Sequence, residues 1–229
     1  MTRIPTDPRT DSAAIRRLAD RARTDLDDLH AVLDASLVGS LAIVSSEGLP
    51  WCVPMLYARD GERVLLHGSR GAGALGLAAG GVPAALSVVL LDGIVVAETL
   101  FDSSANYRSA VVHGTLTALD GDDKKSALEV LSDRIIPGRV SEVRESTRKE
   151  LAATTVLAMA VERWTVKVRD APPSEPSGAD RGGWAGVVPL ESVARAAQPA
   201  SWIAATTPVP ASVHALLRGG GADGGCECG

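Results

Sequence analysis

The stretch Arg63-Val-Leu-Leu-His-Gly-Ser-Arg-Gly-Ala-Gly-Ala-Leu-Gly76 decides the fold, because an apolar run gives way abruptly to small and polar residues. Residues 64–66 have the composition of a buried strand. The glycines that follow let a backbone approach an anion closely, and residues 67–70 add N–H groups, a hydroxyl and a guanidinium. We interpret the stretch as a phosphate-binding corner at the end of a strand.

The composition indicates a globular protein without a basic field. The chain has 229 residues, of which 45% are hydrophobic and only 3% aromatic, so the core must consist of Val, Leu, Ile and Ala. A net charge of −5 argues against binding to nucleic acid or to an anionic membrane. Because no apolar run reaches the ~18 residues of a membrane span and no signal segment is evident at the N-terminus, we expect a cytoplasmic protein.

Three cysteines give no disulfide framework. Cys52 lies in an apolar run, whereas Cys226 and Cys228 lie in a glycine-rich end, and we expect no metal site. We predict three parts: an N-terminal arm and helix (1–24), one folded domain (25–190) and a C-terminal extension (191–229). The extension ends in a Gly/Cys tail, expected to be disordered from about residue 219.

The strand pattern predicts antiparallel pairing. Apolar runs at residues 41–45, 49–57 and 64–66 are separated by tight turns, which is typical of a meander. Asp92-Gly93 predicts a hairpin turn between strands 84–91 and 94–98. A further strand at 110–119, a helix at 120–136, a short helix at 147–153 and a strand or strand pair at 156–169 follow. The fold class is mainly β with flanking helices.

The glycines also permit a competing interpretation. Gly71-Ala-Gly-Ala-Leu-Gly76 matches the G-x-G-x-x-G pattern of dinucleotide-binding domains, and Asp92 lies near the position of a ribose-binding acid. However, the following helix must end near Gly80-Gly81, too soon for a βαβ crossover. The neighbouring strands are also joined by hairpins, which a doubly wound sheet does not have.

A series of short sequence motifs resembles the motifs of a known family. The motifs are Gly48-Leu-Pro-Trp-Cys-Val-Pro54, Leu66-His-Gly-Ser-Arg70, Asn106-Tyr-Arg-Ser109, Pro137-Gly-Arg139, Lys167-Val-Arg169 and Trp184-Ala-Gly-Val-Val-Pro189. In order and spacing they are similar to the flavin-nucleotide-binding branch of the pyridoxamine 5′-phosphate oxidase-like family. The resemblance covers about residues 25–190. It implies an antiparallel split β-barrel that forms a homodimer, with FMN between the subunits.

The resemblance and the residue chemistry together suggest a set of cofactor-binding residues. Ser69 and Arg70 are candidate phosphate ligands, and His67 could bind the cofactor or a substrate carbonyl. Each candidate also has a plain structural alternative, such as a solvated turn, an ordinary buried strand or an interface tryptophan. The full set is Trp51, Val53, Pro54, Met55, His67, Gly68, Ser69, Arg70, Tyr107, Arg108, Ser109, Lys167, Arg169 and Trp184.

Two functions follow as hypotheses. The first is an FMN-dependent oxidoreductase acting on a small molecule, in which the cofactor carries the redox chemistry and no residue stands out as a catalytic acid or base. The second is a flavin- or haem-binding protein without turnover, serving storage, sensing or haem handling, with His67 or His113 as the candidate haem ligand. A deazaflavin in place of FMN stays open. The sequence lacks G-x-S-x-G, H-E-x-x-H and Walker A motifs, so hydrolase and zinc chemistry have little support.

Overall fold

The computed structural model describes residues 19–45, 47–69, 76, 81–175 and 182–219. Nine strands lie within these residues: β1 (Ala22–Arg23), β2 (Val38–Val44), β3 (Pro50–Asp60), β4 (Arg63–Ser69), β5 (Val82–Val96), β6 (Ser104–Ala118), β7 (Thr154–Ala160), β8 (Arg163–Arg169) and β9 (Gly186–Pro189). The α-helices are α1 (Leu26–Ala35), α2 (Gly121–Ile135), α3 (Arg148–Ala153) and α4 (Ala211–Gly219). Short 3₁₀ helices span Ala19–Arg21 and Val140–Glu142. None of the described helices is long and apolar enough to cross a membrane.

The strands form an antiparallel barrel. Their order is β1-β8-β6-β7-β4-β3-β2-β5-β9, and an additional pairing of β5 with β6 closes the six middle strands on themselves. The long strand β6 divides its partners, since residues 107–113 pair with β8 and residues 117–118 pair with β7. β8 and β9 therefore extend the sheet beyond the closed ring. The predicted antiparallel split barrel is confirmed.

The barrel has one main core and a second layer. Inside the barrel, α1 contributes Leu29 and Leu33 to a cluster that includes Tyr57 and Leu86. On the outside of β3, β4 and β7, helix α2 packs Ala127 and Leu131 against Ala58, Leu65 and Val156. The alternation of buried residues along β4 and β7 is thus lost, because both of their faces are covered.

The opposite side of the barrel has no such cover in the described chain. Alternate residues of β2, residues 50–56 of β3, β5 and β9 point outward, and seven of them carry large apolar side chains that are 40% to 67% exposed. The strand registers place them on one surface, which we call the open face. Its members are Val38, Val44, Leu56, Val89, Leu91, Ile94 and Val188.

The predicted hairpin at Asp92-Gly93 is wrong. β5 runs without a break from Val82 to Val96, and the register against β6 shifts between Leu91 and Gly93, which makes Asp92 the extra residue of a β-bulge. A Cβ on Gly93 would lie 3.1 Å from the carbonyl oxygen of Val188. The glycine therefore serves the close approach of β9, and the chain reverses only at residues 97–103.

The other local predictions have mixed outcomes. The helices expected at 120–136 and 147–153 are present as α2 and α3, and α3 begins with a capping box formed by Thr147 and Glu150. β6 starts at Ser104, six residues before the strand predicted at 110–119. The C-terminal extension contains α4, which the sequence did not predict. Residues 1–18 of the predicted N-terminal arm and helix, and the Gly/Cys tail from residue 220, lie outside the described residues.

Candidate flavin site at the barrel split

The barrel opens where β3 changes partner. Residues 57–60 of β3 pair with β4, and residues 50–56 pair with β2 instead. β4 continues past this point beside β7, with Ser69 opposite Thr154. Since the ladder between β3 and β4 ends at Leu66, the two strands diverge there. His67, Gly68 and Ser69 line one edge of the resulting opening.

His67 is the most unusual side chain at this opening. Its Nδ1 atom is buried and has no hydrogen-bond partner among the described residues. Burial lowers the pKa of His67, because desolvation disfavours the imidazolium. The ring is therefore neutral at neutral pH. It can donate a hydrogen bond through one nitrogen and accept one through the other, as a site for a polar ligand requires.

The four predicted cofactor-binding residues on β3 divide between the two sides of the strand. Val53 and Met55 pack against the main core. Pro54 lies opposite Ser40, at the register positions of the open face. Trp51 pairs with Ile43 and keeps 38% of its surface exposed. Pro50 and Pro54 lie at an edge of the sheet, since the only ladder formed by residues 50–56 within the described chain is the one with β2.

Tyr107, Arg108 and Ser109 lie on β6 between β5 and β8. The guanidinium of Arg108 donates two hydrogen bonds to the Asp92 carboxylate, and this contact raises the pKa of Arg108. The Ser109 hydroxyl donates to the carbonyl oxygen of Lys167 at 3.3 Å. Asp92, which had suggested a ribose ligand of a dinucleotide fold, is instead the partner of Arg108.

Arg169 belongs to a buried polar cluster that sequence reasoning missed. Its Nη1 atom donates to the Asn106 side-chain oxygen and to the carbonyl of Ala171 at 3.1 Å. The Ala171 N–H also donates to Asn106, at 3.2 Å. Asn106 and Arg169 are both nearly inaccessible. Asn106 is the first residue of the motif Asn-Tyr-Arg-Ser, so the sequence could have indicated it. Its side-chain oxygen fixes the Arg169 guanidinium.

Within one chain the predicted residues form two groups that lie far apart. Thr117 on β6 pairs with β7, which is itself the neighbour of β4. Tyr107 is ten residues earlier on the same strand, and at about 3.3 Å per residue the separation is roughly 33 Å along the strand. Along the sheet, the His67 group and the Tyr107 group are thus separated within one subunit. Trp184 precedes β9, which pairs with the part of β5 that also pairs with Asn106. It is 66% exposed and lies over Gly186. Arg70 lies outside the described residues.

The described part of the chain contains no group of three or more His, Cys, Asp or Glu side chains that could hold a metal ion. The chemistry available at the split is that of an opening lined by strand edges, a neutral imidazole and a serine hydroxyl. Such a set suits an organic anion, since backbone and side-chain donors can share its charge.

Comparison with known proteins identifies relatives of this barrel. The sequence profile of the pyridoxamine 5′-phosphate oxidase family matches residues 25–168. A solved structure described as the FAD and heme binding protein from Mycobacterium smegmatis is 42% identical, with a TM-score of 0.81, and the match covers 86% of this chain and 97% of that one. The flavocytochrome Anf3 from Azotobacter vinelandii is 27% identical, with a TM-score of 0.83 and coverage of 93% and 99%.

No curated protein matches the chain significantly. The family profile nevertheless spans well over half of the sequence and all of the barrel from α1 to β8. The chain therefore belongs to the pyridoxamine 5′-phosphate oxidase family.

Proposed function

We propose that this protein binds a flavin nucleotide at the opening between β3 and β4. The observation that carries the proposal is the buried Nδ1 of His67, which lacks a hydrogen-bond partner in the described chain at the point where the strands diverge. A buried polar atom without a partner is costly, so a ligand that supplies one is favoured. The 42% identical mycobacterial protein is described as binding FAD, which supports a flavin as that ligand.

The chain's own residues would hold the nucleotide in place. In the sequence, Ser69 is followed by Arg70 and a glycine-rich stretch, so these residue types would offer a hydroxyl, a guanidinium and backbone N–H groups to a phosphate. The neutral His67 ring would bind a polar atom of the cofactor or of a substrate. A bound flavin supplies hydride or electron transfer. An oxidoreductase acting on a small molecule is the activity we propose for the loaded protein.

Spectroscopy of the purified protein tests the proposal directly. Flavin absorption at about 370 and 450 nm, with FMN, FAD or a deazaflavin identified by mass after denaturation, is the expected result. Apoprotein titrated with FMN and with FAD should quench flavin fluorescence. His67→Ala should weaken this binding at least several-fold, and His214→Ala, an exposed histidine on α4, is the matched control. A folded His67→Ala variant with unchanged affinity would remove His67 from the site.

We further propose that two copies of the chain form a homodimer through the open face. Seven apolar side chains share this uncovered surface, and such a patch on a sheet commonly marks an interface. A dimer would also explain the separation of the His67 and Tyr107 groups, because each could complete a site with the other group of the partner subunit. Light scattering at micromolar concentration should give twice the mass of 23.6 kDa. A single species of 23.6 kDa would contradict the dimer and the shared site together.

Haem is the second candidate ligand, and one observation favours it. Neutral imidazoles are common haem-iron ligands, and His67 has the unpartnered nitrogen that such a ligand needs. The mycobacterial relative is described as binding haem as well as FAD. Titration with hemin should give a Soret band that is lost in His67→Ala. A band that persists in that variant would assign the haem to another residue.

A further inference from the structure

The connection between β5 and β6 is an ordered loop, residues 97–103, which we call the finger. Four hydrogen bonds within it fix its shape. The Thr99 hydroxyl donates to Asp102 at 2.6 Å and accepts from the Asp102 N–H at 3.1 Å. The Ser103 hydroxyl donates to the Thr99 carbonyl at 2.9 Å and accepts from the Ala97 N–H at 3.1 Å. Because these bonds close the loop on itself, little conformational entropy is lost when its tip binds a surface.

The tip of the finger presents two large apolar side chains to solvent. Leu100 is 98% exposed and Phe101, the single phenylalanine of the chain, is 95% exposed. Glu98 at the base accepts a hydrogen bond from the Gly182 N–H, which ties the finger to the segment before β9. A rigid loop that holds two such side chains fully in water indicates a contact with another surface.

The finger is continuous with the open face. It joins β5 and β6, and Ile94 and Leu91 of the open face lie on β5 just before it. Glu98 and Asp102 flank the tip, and residues 97–103 contain no lysine or arginine. An anionic membrane surface is therefore disfavoured as the binding partner, since such loops use basic residues to reach it.

The exposed apolar area can be compared with the area that a stable dimer buries. At about 100 Å² for each aliphatic side chain, the seven half-exposed residues of the open face offer roughly 350 Å². A specific interface buries about 800 Å² per partner, of which about 60%, or roughly 480 Å², is apolar. Leu100 and Phe101 add roughly 280 Å². Together, the open face and the finger offer roughly 630 Å² of apolar surface, which is enough for a stable interface with a second copy of this chain.

We propose that the finger docks Leu100 and Phe101 against a second copy of this chain, as part of the interface formed by the open face. The proposal rests on the homodimer of the proposed function. It adds that these two residues are the energetic anchors of the dimer, in the way that buried aromatic and leucine side chains anchor other interfaces.

Photo-crosslinking tests the position of the tip. The full chain with Phe101→p-benzoylphenylalanine, irradiated at micromolar concentration, should give an adduct of twice the chain mass on a denaturing gel. The control is the same substitution at Val143, which is 45% exposed on the α2 side of the barrel and should give no adduct. In parallel, the double variant Leu100→Ser, Phe101→Ser should raise the dimer dissociation constant at least about 30-fold.

The outcomes separate this proposal from those on which it rests. A wild-type dimer that forms no adduct at position 101, or that the double variant leaves intact, overturns the finger contact and keeps the homodimer. A monomeric wild-type protein overturns both, whereas flavin binding is judged independently from the spectrum. Sedimentation of the wild-type chain with vesicles containing phosphatidylglycerol, lost in the double variant, would assign the finger to a membrane and overturn the proposal.

Discussion

The Asp92 carboxylate holds the Arg108 guanidinium through two hydrogen bonds, of 3.0 Å to Nε and 2.7 Å to Nη2. Asp92 is also the extra residue of the bulge in β5, and its carbonyl accepts the Leu190 N–H at 3.0 Å. One residue thus orients the Arg108 side chain on β6 and fixes the chain just after β9. The bulge therefore orients the Arg108 side chain and marks the end of β9, and bulges near functional sites often have such roles.

Replacing this carboxylate should destabilise the barrel measurably. Asp92→Asn keeps the size of the side chain and removes its charge. We expect the free energy of unfolding to fall by about 1 kcal/mol, because the pair is bidentate but partly exposed. Urea denaturation measures the difference. Glu162→Gln, an exposed acid in the turn between β7 and β8, is the control, and an equal loss there would show that the Arg108 pair is not the cause.

The burial of His67 makes stability depend on pH. Because its pKa is lower in the folded protein than the ordinary value of about 6.5, the unfolded chain takes up the proton first. The wild-type protein should therefore keep its stability above that value and lose part of it as the pH falls further. Unfolding free energies of wild type and His67→Asn at pH 7.5 and pH 5 test this. A wild-type loss on acidification no larger than that of the variant would contradict it.

The C-terminal helix depends on one polar contact. The Ser212 N–H donates to Glu142 at 2.9 Å and the Ser212 hydroxyl donates to the same carboxylate, and these bonds lower the pKa of Glu142. Ser212→Ala should speed hydrogen exchange in residues 211–219 several-fold and leave the barrel unchanged. Ser201→Ala, an exposed serine before α4, should have no such effect. Protonating Glu142 below its ordinary carboxyl range should release α4 in the wild type too.

Gly114 is required by the packing of β6 on β7. A Cβ there would lie 2.7 Å from Cγ of Met159 and 3.1 Å from the carbonyl oxygen of Ala160. Gly114→Ala should therefore cost about 1–3 kcal/mol of unfolding free energy, as overpacking of a core does. Gly182→Ala meets no atom within 4 Å and should be neutral. Equal midpoints in urea for the two variants would show that Met159 moves aside without strain.

The sequence predicted elements whose signals are local. The meander is one such case, because each of its strands is an apolar run in a short stretch of chain. The helix α2 is another, because its pattern lies within fifteen residues. The Asp92-Gly93 pair was misjudged because the same dipeptide suits a hairpin turn and a bulge. Only the approach of β9, which lies more than ninety residues later, selects the bulge. α4 escaped prediction because its anchor, Glu142, is seventy residues away.

The candidate site was likewise predictable only where its signals are local. The motifs around His67 and Tyr107 could be found from the sequence, since small and polar residues interrupt apolar strands there. That Arg108 is held by Asp92, and Arg169 by Asn106, depends on strand register, which the sequence did not reveal. The strand register also places the motif around His67 and the motif around Tyr107 at different levels of the sheet. Their spacing along the chain cannot show this separation.

The pairing of β4 with β7 has a consequence for synthesis on the ribosome. Arg63 lies opposite Ala160, so the strand that completes the barrel leaves the ribosome nearly one hundred residues after its partner. At 5–20 residues per second, this delay is about 5 to 20 seconds. Throughout that interval residues 64–66 present one unpaired apolar edge to solvent, where it can pair with another nascent chain. The growing polypeptide is thus most prone to aggregate before β7 appears, and a chaperone that shields this edge would raise the yield of folded protein.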